Sequence, residues 1–105
     1  MNVNKRIYLI WLDDERIAPA IADYWAKSYD EAIEIFKNNE DKIFIVDFDH
    51  DLGRNKTGYD VAKYIVENNI PMIAYKVHSM NPIGRANIDQ LLSHYGYNRI
   101  FIDFK

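Results

Sequence analysis

The chain has 105 residues, enough for a hydrophobic core of its own, and we expect a single domain over residues 1–105. Its net charge is −3, so we expect no broad electrostatic attraction to nucleic acid, and a phosphate site must depend on a local group of donors. The lack of cysteine in the sequence excludes disulfides and thiolate metal sites. Nothing in this composition marks a compartment, and we take the cytoplasm as the default.

The first apolar run, IYLIWL (7–12), is followed directly by three acids. It is too short to span a bilayer and lacks the cleavage pattern of a signal peptide, so we expect no membrane partner. Its continuous apolar character is typical of a buried strand in a parallel sheet. Similar runs predict four further strands, at residues 24–29, 43–48, 72–77 and 99–104.

The segment 13–23 between the first two strands is interrupted by Pro19 and is too short for a helical crossover, so we expect a loop there. Three helices are predicted after the later strands, each with a residue that can cap its first turn. Ser28 begins a helix that ends near Asn38 and Asn39, Thr57 begins one from Gly58 to Asn68, and Asn81 with Pro82 begins one that Gly96 can close.

The alternation of strands and helices predicts an α/β fold with a five-stranded parallel sheet, for which we assume the order 2-1-3-4-5. Right-handed crossovers then place all three helices on one face. The other face carries Asp47, Lys76 and Asp103, one on each neighbouring strand. Two interpretations stay open: a solvated face, or a surface for a homodimer or a partner protein, because parallel sheets are usually covered on both faces.

Acids and histidines follow three of the predicted strands at the point where each strand ends. These clusters are Asp13-Asp14, Asp49-His50-Asp51 and His78-Ser79. The carboxyl ends of parallel strands share one edge of the sheet, and ligands of open α/β sheets bind at that edge. We therefore expect residues far apart in sequence to form one pocket.

The acids of this pocket suggest a hard cation. Asp13, Asp14, Asp49 and Asp51 are candidate ligands of Mg²⁺ (or Mn²⁺), which prefers oxygen ligands and also takes water and phosphate oxygens. Asp49 is also a candidate carboxylate nucleophile. The plainer interpretation is that Asp13 caps the following turn and that Asp14 is solvated.

Two histidines add acid–base chemistry to the acids. His50 lies between two carboxylates, which favour its charged form, and His78 ends the next predicted strand. We list His50, His78 and Asp49 as candidate catalytic residues, or the histidines as phosphate-binding cations. The plainer interpretation is that Asp51 only forms a turn, with His50 exposed.

The third cluster leads into a helix start, where free N–H groups and the helix dipole attract anions. Ser79, Asn81 and Arg85 are the candidate phosphate-binding residues, together with His78. Asn81 is also a good helix cap, and the two roles are compatible.

Three stretches together, WLDDER, DHDLG…TGYDV and VHSMNPIGR, resemble the small domains called cyclic-phosphate-processing receiver domains, over about residues 7–92. The resemblance implies a receiver-like (flavodoxin-like) fold that lacks the first and last helices of a receiver. It also implies a ligand, which would be the cyclic phosphate of a nucleotide, of an RNA end or of another phosphorylated small molecule.

The chain also departs from ordinary phospho-accepting receivers, which it resembles more distantly. Asp13 and Asp14 match their acidic pair, and Asp49 falls near their phospho-acceptor. The Ser or Thr of their fourth strand is replaced by Lys76, or by Ser79 in an extended strand, and the Lys of their fifth strand has no clean counterpart. We therefore do not expect aspartyl phosphorylation.

Three functions fit these residues. The first is a metal-dependent phosphoesterase that acts on a cyclic phosphate, and the second is a binder of the same ligand without turnover. The third is a non-catalytic signalling or protein-interaction module that uses the open sheet face. The first two share their site residues, so the sequence alone does not separate them.

Overall fold

A computed structural model describes residues 6–53 and 55–102 of the chain. Four strands form one parallel sheet in the order β2-β1-β3-β4. One helix follows each of the last three strands. The elements in chain order are β1 (Ile7–Leu12), β2 (Tyr24–Ala26), α1 (Tyr29–Asn38), β3 (Ile43–Phe48), α2 (Gly58–Glu67), β4 (Met72–Val77) and α3 (Pro82–His94).

The helices start at the predicted caps. The Ser28 hydroxyl accepts from the N–H of Glu31 at 3.1 Å, and Thr57 forms a reciprocal capping box with Asp60. At α3, Oδ1 of Asn81 accepts from the N–H of Gly84 at 3.0 Å, and Pro82 occupies the first turn. These caps place three helix N-termini at the edge where β2, β3 and β4 end.

The main core lies between the helices and one face of the sheet. Alternate residues of the strands point into it, as the period of two requires, and consecutive helices pack on one another. Its fully buried members include Ile10, Leu12, Phe44, Val46, Phe48, Tyr75, Phe36, Val61, Ile65, Ile88 and Leu92. This packing fixes the strand ends that carry the candidate site.

The loop 13–23 contains no helix, as predicted. It is fastened to the sheet instead, because the Asp23 carboxylate accepts from the N–H of Leu9 at 2.9 Å and pairs with Arg6. The first helix of a complete receiver is therefore absent between β1 and β2.

The predicted fifth strand at residues 99–104 was wrong, and the sheet has four strands. Among residues 99–102, the part of this segment that the structure describes, only Arg99 forms a bridge to the sheet, opposite Tyr75. The next residues have no core to enter, since Phe101 is 75 % exposed and Ile102 is 64 % exposed. The second strand is also shorter than predicted, because it ends at Ala26 and Ser28 already caps α1.

The face opposite the helices is more closely packed than a solvated face would be. Asp47 lies there with 0 % exposure, opposite Trp11 on β1 and Lys76 on β4. Lys76 Nζ is 3.9 Å from the Asp47 carboxylate, so two of the three charged residues predicted on this face lie next to each other. Asp103 lies outside the described residues. A homodimer or a partner protein on this face stays a prediction.

Among the helices of the described chain, none combines the length and the apolar character needed to cross a membrane.

Candidate functional site

The site continues a row of paired residues beyond the ends of three strands. Alternate side chains of a strand point to the same face, so the positions two residues after Trp11, Asp47 and Lys76 share their face. Those positions hold Asp13, Asp49 and His78. One ligand atom from each lies within 4.8 Å of the others, close enough to hold one metal ion. The sheet register thus assembles the cluster.

Asp13 is the most enclosed member of the cluster, with 1 % exposure. Its Oδ1 accepts from the N–H groups of Glu15 and Arg16, both at 2.8 Å, and its Oδ2 lies 2.8 Å from Nε2 of His78. Burial raises the pKa of Asp13, but these backbone hydrogen bonds and His78 outweigh it and leave the pKa below its usual value. Asp13 therefore both caps the turn and stays ionised at the site.

His78 connects the cluster to the sheet face. Its Nε2 faces Asp13, and its Nδ1 lies 2.7 Å from Oδ1 of Asp47. An ionised carboxylate only accepts hydrogen bonds, so a ring nitrogen that pairs with one must be the donor. Trp11 stacks on the ring, with centroids 3.9 Å apart and planes within 3°. The imidazole is thus held on three sides.

Asp49 is the acid of the cluster whose ionised form is disfavoured. Its Oδ1 accepts from the N–H of His50 at 2.9 Å. Burial and, next, the negative charge of Asp13 raise the pKa of Asp49, against the smaller opposite effects of His78, the His50 N–H and the Ser79 hydroxyl. The repulsion between the carboxylates of Asp49 and Asp13 is therefore only partly offset by the neighbouring groups.

The other two acids predicted as metal ligands lie outside the cluster. The Asp14 carboxylate contacts Gly53, where a Cβ would come within 2.6 Å of its Oδ2. Asp51 is exposed and lies 2.9 Å from Nδ1 of His50, a hydrogen bond that lowers the pKa of Asp51. Both acids border the site from the loop side.

His50 is fixed between Asp51 and the first turn of α3. A Cβ on Gly84 would come within 2.2 Å of the imidazole, so only glycine allows the helix to approach the ring this closely. The Asp51 carboxylate then sets which nitrogen carries the proton. This pairing of a carboxylate with a histidine is one that orients a general base.

The three predicted phosphate-binding residues lie together at the start of α3. The Ser79 hydroxyl accepts from the N–H of Asn81 at 3.1 Å, and Arg85 donates to the Ser79 carbonyl at 3.0 Å. Asn81 caps the helix and also reaches Asp51 at 3.4 Å. Ser79 is buried, whereas the guanidinium of Arg85 is half-buried beside the edge.

The family model of the cyclic-phosphate processing receiver domain matches residues 8–94, from β1 to the end of α3. The chain belongs to this family. A search of curated proteins and a search of solved structures each gave no significant match. The part of the receiver domain that matches contains every residue of the cluster and of the helix start.

The cluster of this receiver domain fits a divalent cation by its donor chemistry. Asp13 and Asp49 offer carboxylate oxygens, which suit Mg²⁺ or Mn²⁺. His78 offers a nitrogen, although it would first have to release the hydrogen bond between Nε2 and Asp13. The two carboxylates are therefore the better match for such an ion.

The sequence reasoning missed the part that Asp47 and Trp11 play in the receiver site. The sequence predicts Trp11 only as part of the buried strand 7–12, and it places Asp47 on the face without helices, as a separate question about partners. The signal was nevertheless present, since the alternation that groups Asp47 with Lys76 also groups Lys76 with His78 when it is continued past the strand end. The sheet face and the edge form one site.

Proposed function

We propose that this receiver domain hydrolyses a cyclic phosphate ester with the help of a divalent cation. The observation that carries the proposal is the convergence of Asp13, Asp49 and His78, from three strands, on one point at the carboxyl edge of the sheet. The family description, which names cyclic-phosphate processing, agrees with this reaction class. The acids would bind the cation, and the helix start next to them would bind the phosphate.

The charges support a cation between Asp13 and Asp49. The raised pKa of Asp49 means that its ionised form is disfavoured beside Asp13, and a cation would remove that repulsion. When bound, the cation would neutralise charge on the phosphate and polarise it for attack by water. Asp14 and Asp51 would border this ion without ligating it directly.

The histidines would carry the protons of the reaction. His50, oriented by Asp51, would take a proton from the attacking water through its Nε2, because its Nδ1 faces the carboxylate. The water oxygen would bond to phosphorus while one ester P–O bond of the ring breaks. His78 would release its hydrogen bond to Asp13 and give the proton from Nε2 to the leaving oxygen, so a monoester and a hydroxyl result from one water molecule.

The start of α3 would orient the phosphate. Arg85 can direct its guanidinium to the phosphate while one nitrogen keeps the Ser79 carbonyl, and the dipole of α3 favours a negative ligand at this end of the helix. Asn81 would keep this turn in place as its cap. The ring of the cyclic phosphate would then lie between this turn and the acids.

The test is hydrolysis of 2′,3′- and 3′,5′-cyclic nucleotides with Mg²⁺ or Mn²⁺ and with a chelator. We expect turnover that depends on the metal and that falls by at least about a hundredfold in Asp49→Asn and His50→Gln. Matched controls are Asp41→Asn, an exposed acid in a turn, and His94→Gln, an exposed histidine at the end of α3. A lack of turnover at high enzyme concentration with either metal would remove the proposal.

A second candidate function is binding of the same ligand without turnover. It is favoured by His78, whose two ring nitrogens are already engaged by carboxylates and could serve only as a fixed positive charge. In that case calorimetry would detect binding of the cyclic nucleotide, weakened by His78→Gln, while no product forms. The turnover assay and calorimetry on the same samples separate the two functions.

A further inference from the structure

A cavity opens at the same edge of the sheet as the acids, on the side of α1. It has a volume of about 310 Å³, near the lower limit of ordinary small-molecule sites. We propose that this cavity binds the base of a nucleoside whose cyclic phosphate occupies the site of Asp13, Asp49 and His78. The proposal rests on the proposed function and names the substrate as a nucleoside cyclic phosphate. The cavity is lined by Ser28, Tyr29, Asp30, Leu52, Asn55 and Lys56.

The cavity has an aromatic wall with a cation over it. The Lys56 ammonium lies 4.9 Å from the centroid of the Tyr29 ring, while Tyr64 meets the ring edge-on at an interplanar angle of 87°. The long, flexible side chain of Lys56 therefore lies over one face of Tyr29. A planar base could stack there once Lys56 moves aside, and each such stack strengthens binding considerably.

The charge around the cavity suits a base better than a phosphate. Burial and the nearby groups Tyr64, Asp60 and Asp30 raise the pKa of Tyr29, so its phenol stays neutral. Lys56 balances only one of the nearby carboxylates, so an anion is disfavoured, whereas the amino group of a base can donate a hydrogen bond to a carboxylate. Asp30 lines the cavity and is the acceptor best placed for that contact.

The loop that lines the cavity also touches the acids of the site. Gly53, between the lining residues Leu52 and Asn55, lies against the Asp14 carboxylate, next in sequence to Asp13. The walls of the cavity come from the segments that follow β2 and β3, the two neighbours of β1, whose end carries Asp13, and the helix start follows β4. Neighbouring strands are about 4.8 Å apart, so the edge from β2 to β4 spans roughly 14 Å. A nucleoside phosphate can extend along that length.

A cavity of similar size, about 330 Å³, lies at the opposite end of the strands and does not fit this role. Its walls include Ile70 and Pro71, which precede β4, and Asn39, which follows α1. It therefore lies at the amino ends of the strands, away from Asp13 and Asp49. Position at the carboxyl edge distinguishes the cavity of Tyr29 from it.

The first experiment titrates the intact chain with free adenosine and free cytidine and follows amide NMR signals. We expect the largest shifts at Tyr29, Asp30 and Lys56, with weaker binding in Tyr29→Leu. Tyr29→Phe keeps the packing on Tyr64 and the stacking face, so we expect it to bind as the wild type does, while Tyr95→Leu is the control for loss of an exposed tyrosine. Absence of shifts in this group, or equal loss in Tyr95→Leu, would overturn the assignment.

The second experiment compares two substrates, cytidine 2′,3′-cyclic phosphate and glycerol 1,2-cyclic phosphate, which has no base. Tyr29→Leu is expected to lower kcat/KM about tenfold for the nucleotide and to leave it unchanged for the glycerol ester. An oligoribonucleotide that ends in a 2′,3′-cyclic phosphate shows whether the substrate is a free nucleotide or an RNA end. Equal losses on both esters would contradict the base site. If neither ester is hydrolysed, the proposed function fails, and the nucleoside titration still tests whether the cavity binds a base.

Discussion

The Nδ1 atom of His78 lies 2.7 Å from Oδ1 of Asp47, a carboxylate inside β3 rather than at its end. This contact joins the sheet face without helices to the edge where ligands of such sheets bind. The missing helix between β1 and β2 leaves room on that face for Trp11 to stack on the imidazole. A polar connection thus runs from Lys76 through Asp47 and His78 to Asp13.

Asp47→Ala tests this connection by stability. The substitution removes one of the two carboxylates that contact the ring of His78 and the carboxylate 3.9 Å from the Lys76 ammonium, and breaking one partner of a buried ion pair costs about 3–5 kcal/mol. We expect a loss of that size in the free energy of unfolding, measured in urea. Asp41→Ala, at an exposed turn, should stay within about 0.5 kcal/mol of the wild type. A loss as small as that of the control would contradict a stabilising role of the Asp47 carboxylate.

Asp49→Asn tests the repulsion at the cluster through pH. Because the pKa of Asp49 is raised in the folded state, the fold binds this proton more tightly than the unfolded chain does. The stability that comes from the protonated form is present at low pH and is lost as the pH rises above the ordinary carboxyl value. The asparagine variant does not ionise, so we expect a higher Tm than wild type at pH 7 and a difference that vanishes toward pH 4.

Metal provides the control for the same variant. Saturating Mg²⁺ or Mn²⁺ should raise the Tm of the wild type and remove the advantage of Asp49→Asn, since a ligand that binds only the folded state stabilises it. A variant that is less stable than wild type at pH 7 without metal would contradict the repulsion between Asp49 and Asp13.

Gly84→Ala tests the contact between α3 and His50. The added Cβ would lie 2.2 Å from the imidazole, so the ring or the helix must shift. Overpacking of this kind costs about 1–3 kcal/mol, and we expect the His50 ring signals in NMR to move while those of His94 do not. An alanine at exposed Asn87, also on α3, is the matched control. Unchanged His50 signals would mean that Gly84 does not position the ring.

Asn81→Ala tests the helix start. Loss of the cap removes the acceptor for the N–H of Gly84 and should cost about 1 kcal/mol of stability. Ser28→Ala removes the cap of α1 at a similar cost, but it leaves α3 intact. We therefore expect both variants to lose stability and only Asn81→Ala to weaken phosphate binding, measured by calorimetry with inorganic phosphate. Equal phosphate affinity in the two variants would contradict an anion site at α3.

Much of the fold could be predicted because each element carries local signals. The capped helices, the buried runs of β1, β3 and β4, and the helix-free loop after β1 all follow from residue types and spacing. The error at residues 99–104 has a physical cause: RIFIDF has the apolar character of a strand, but that character does not reveal whether anything covers it. Phe101 and Ile102 remain exposed, and pairing stops at Arg99.

The candidate site could be predicted in part. The edge argument correctly brought Asp13, Asp49 and His78 together, since strand ends and parallel order decide that. The orientation of side chains beyond the strands could not be predicted in the same way. Asp14 turns to Gly53, and Asp51 turns to His50, because loop conformation rather than the sheet directs them.

The most direct test of a cation site at Asp13, Asp49 and His78 is a titration of the wild type with Mn²⁺, a paramagnetic ion that broadens NMR signals near its site. We expect the signals of these three residues to broaden first, well below one equivalent of Mn²⁺, while those of Asp41 and His94 stay sharp. In Asp49→Asn this selectivity should be lost. Broadening spread evenly over exposed acids, or identical broadening in Asp49→Asn, would contradict a cation site at the carboxyl edge of the sheet.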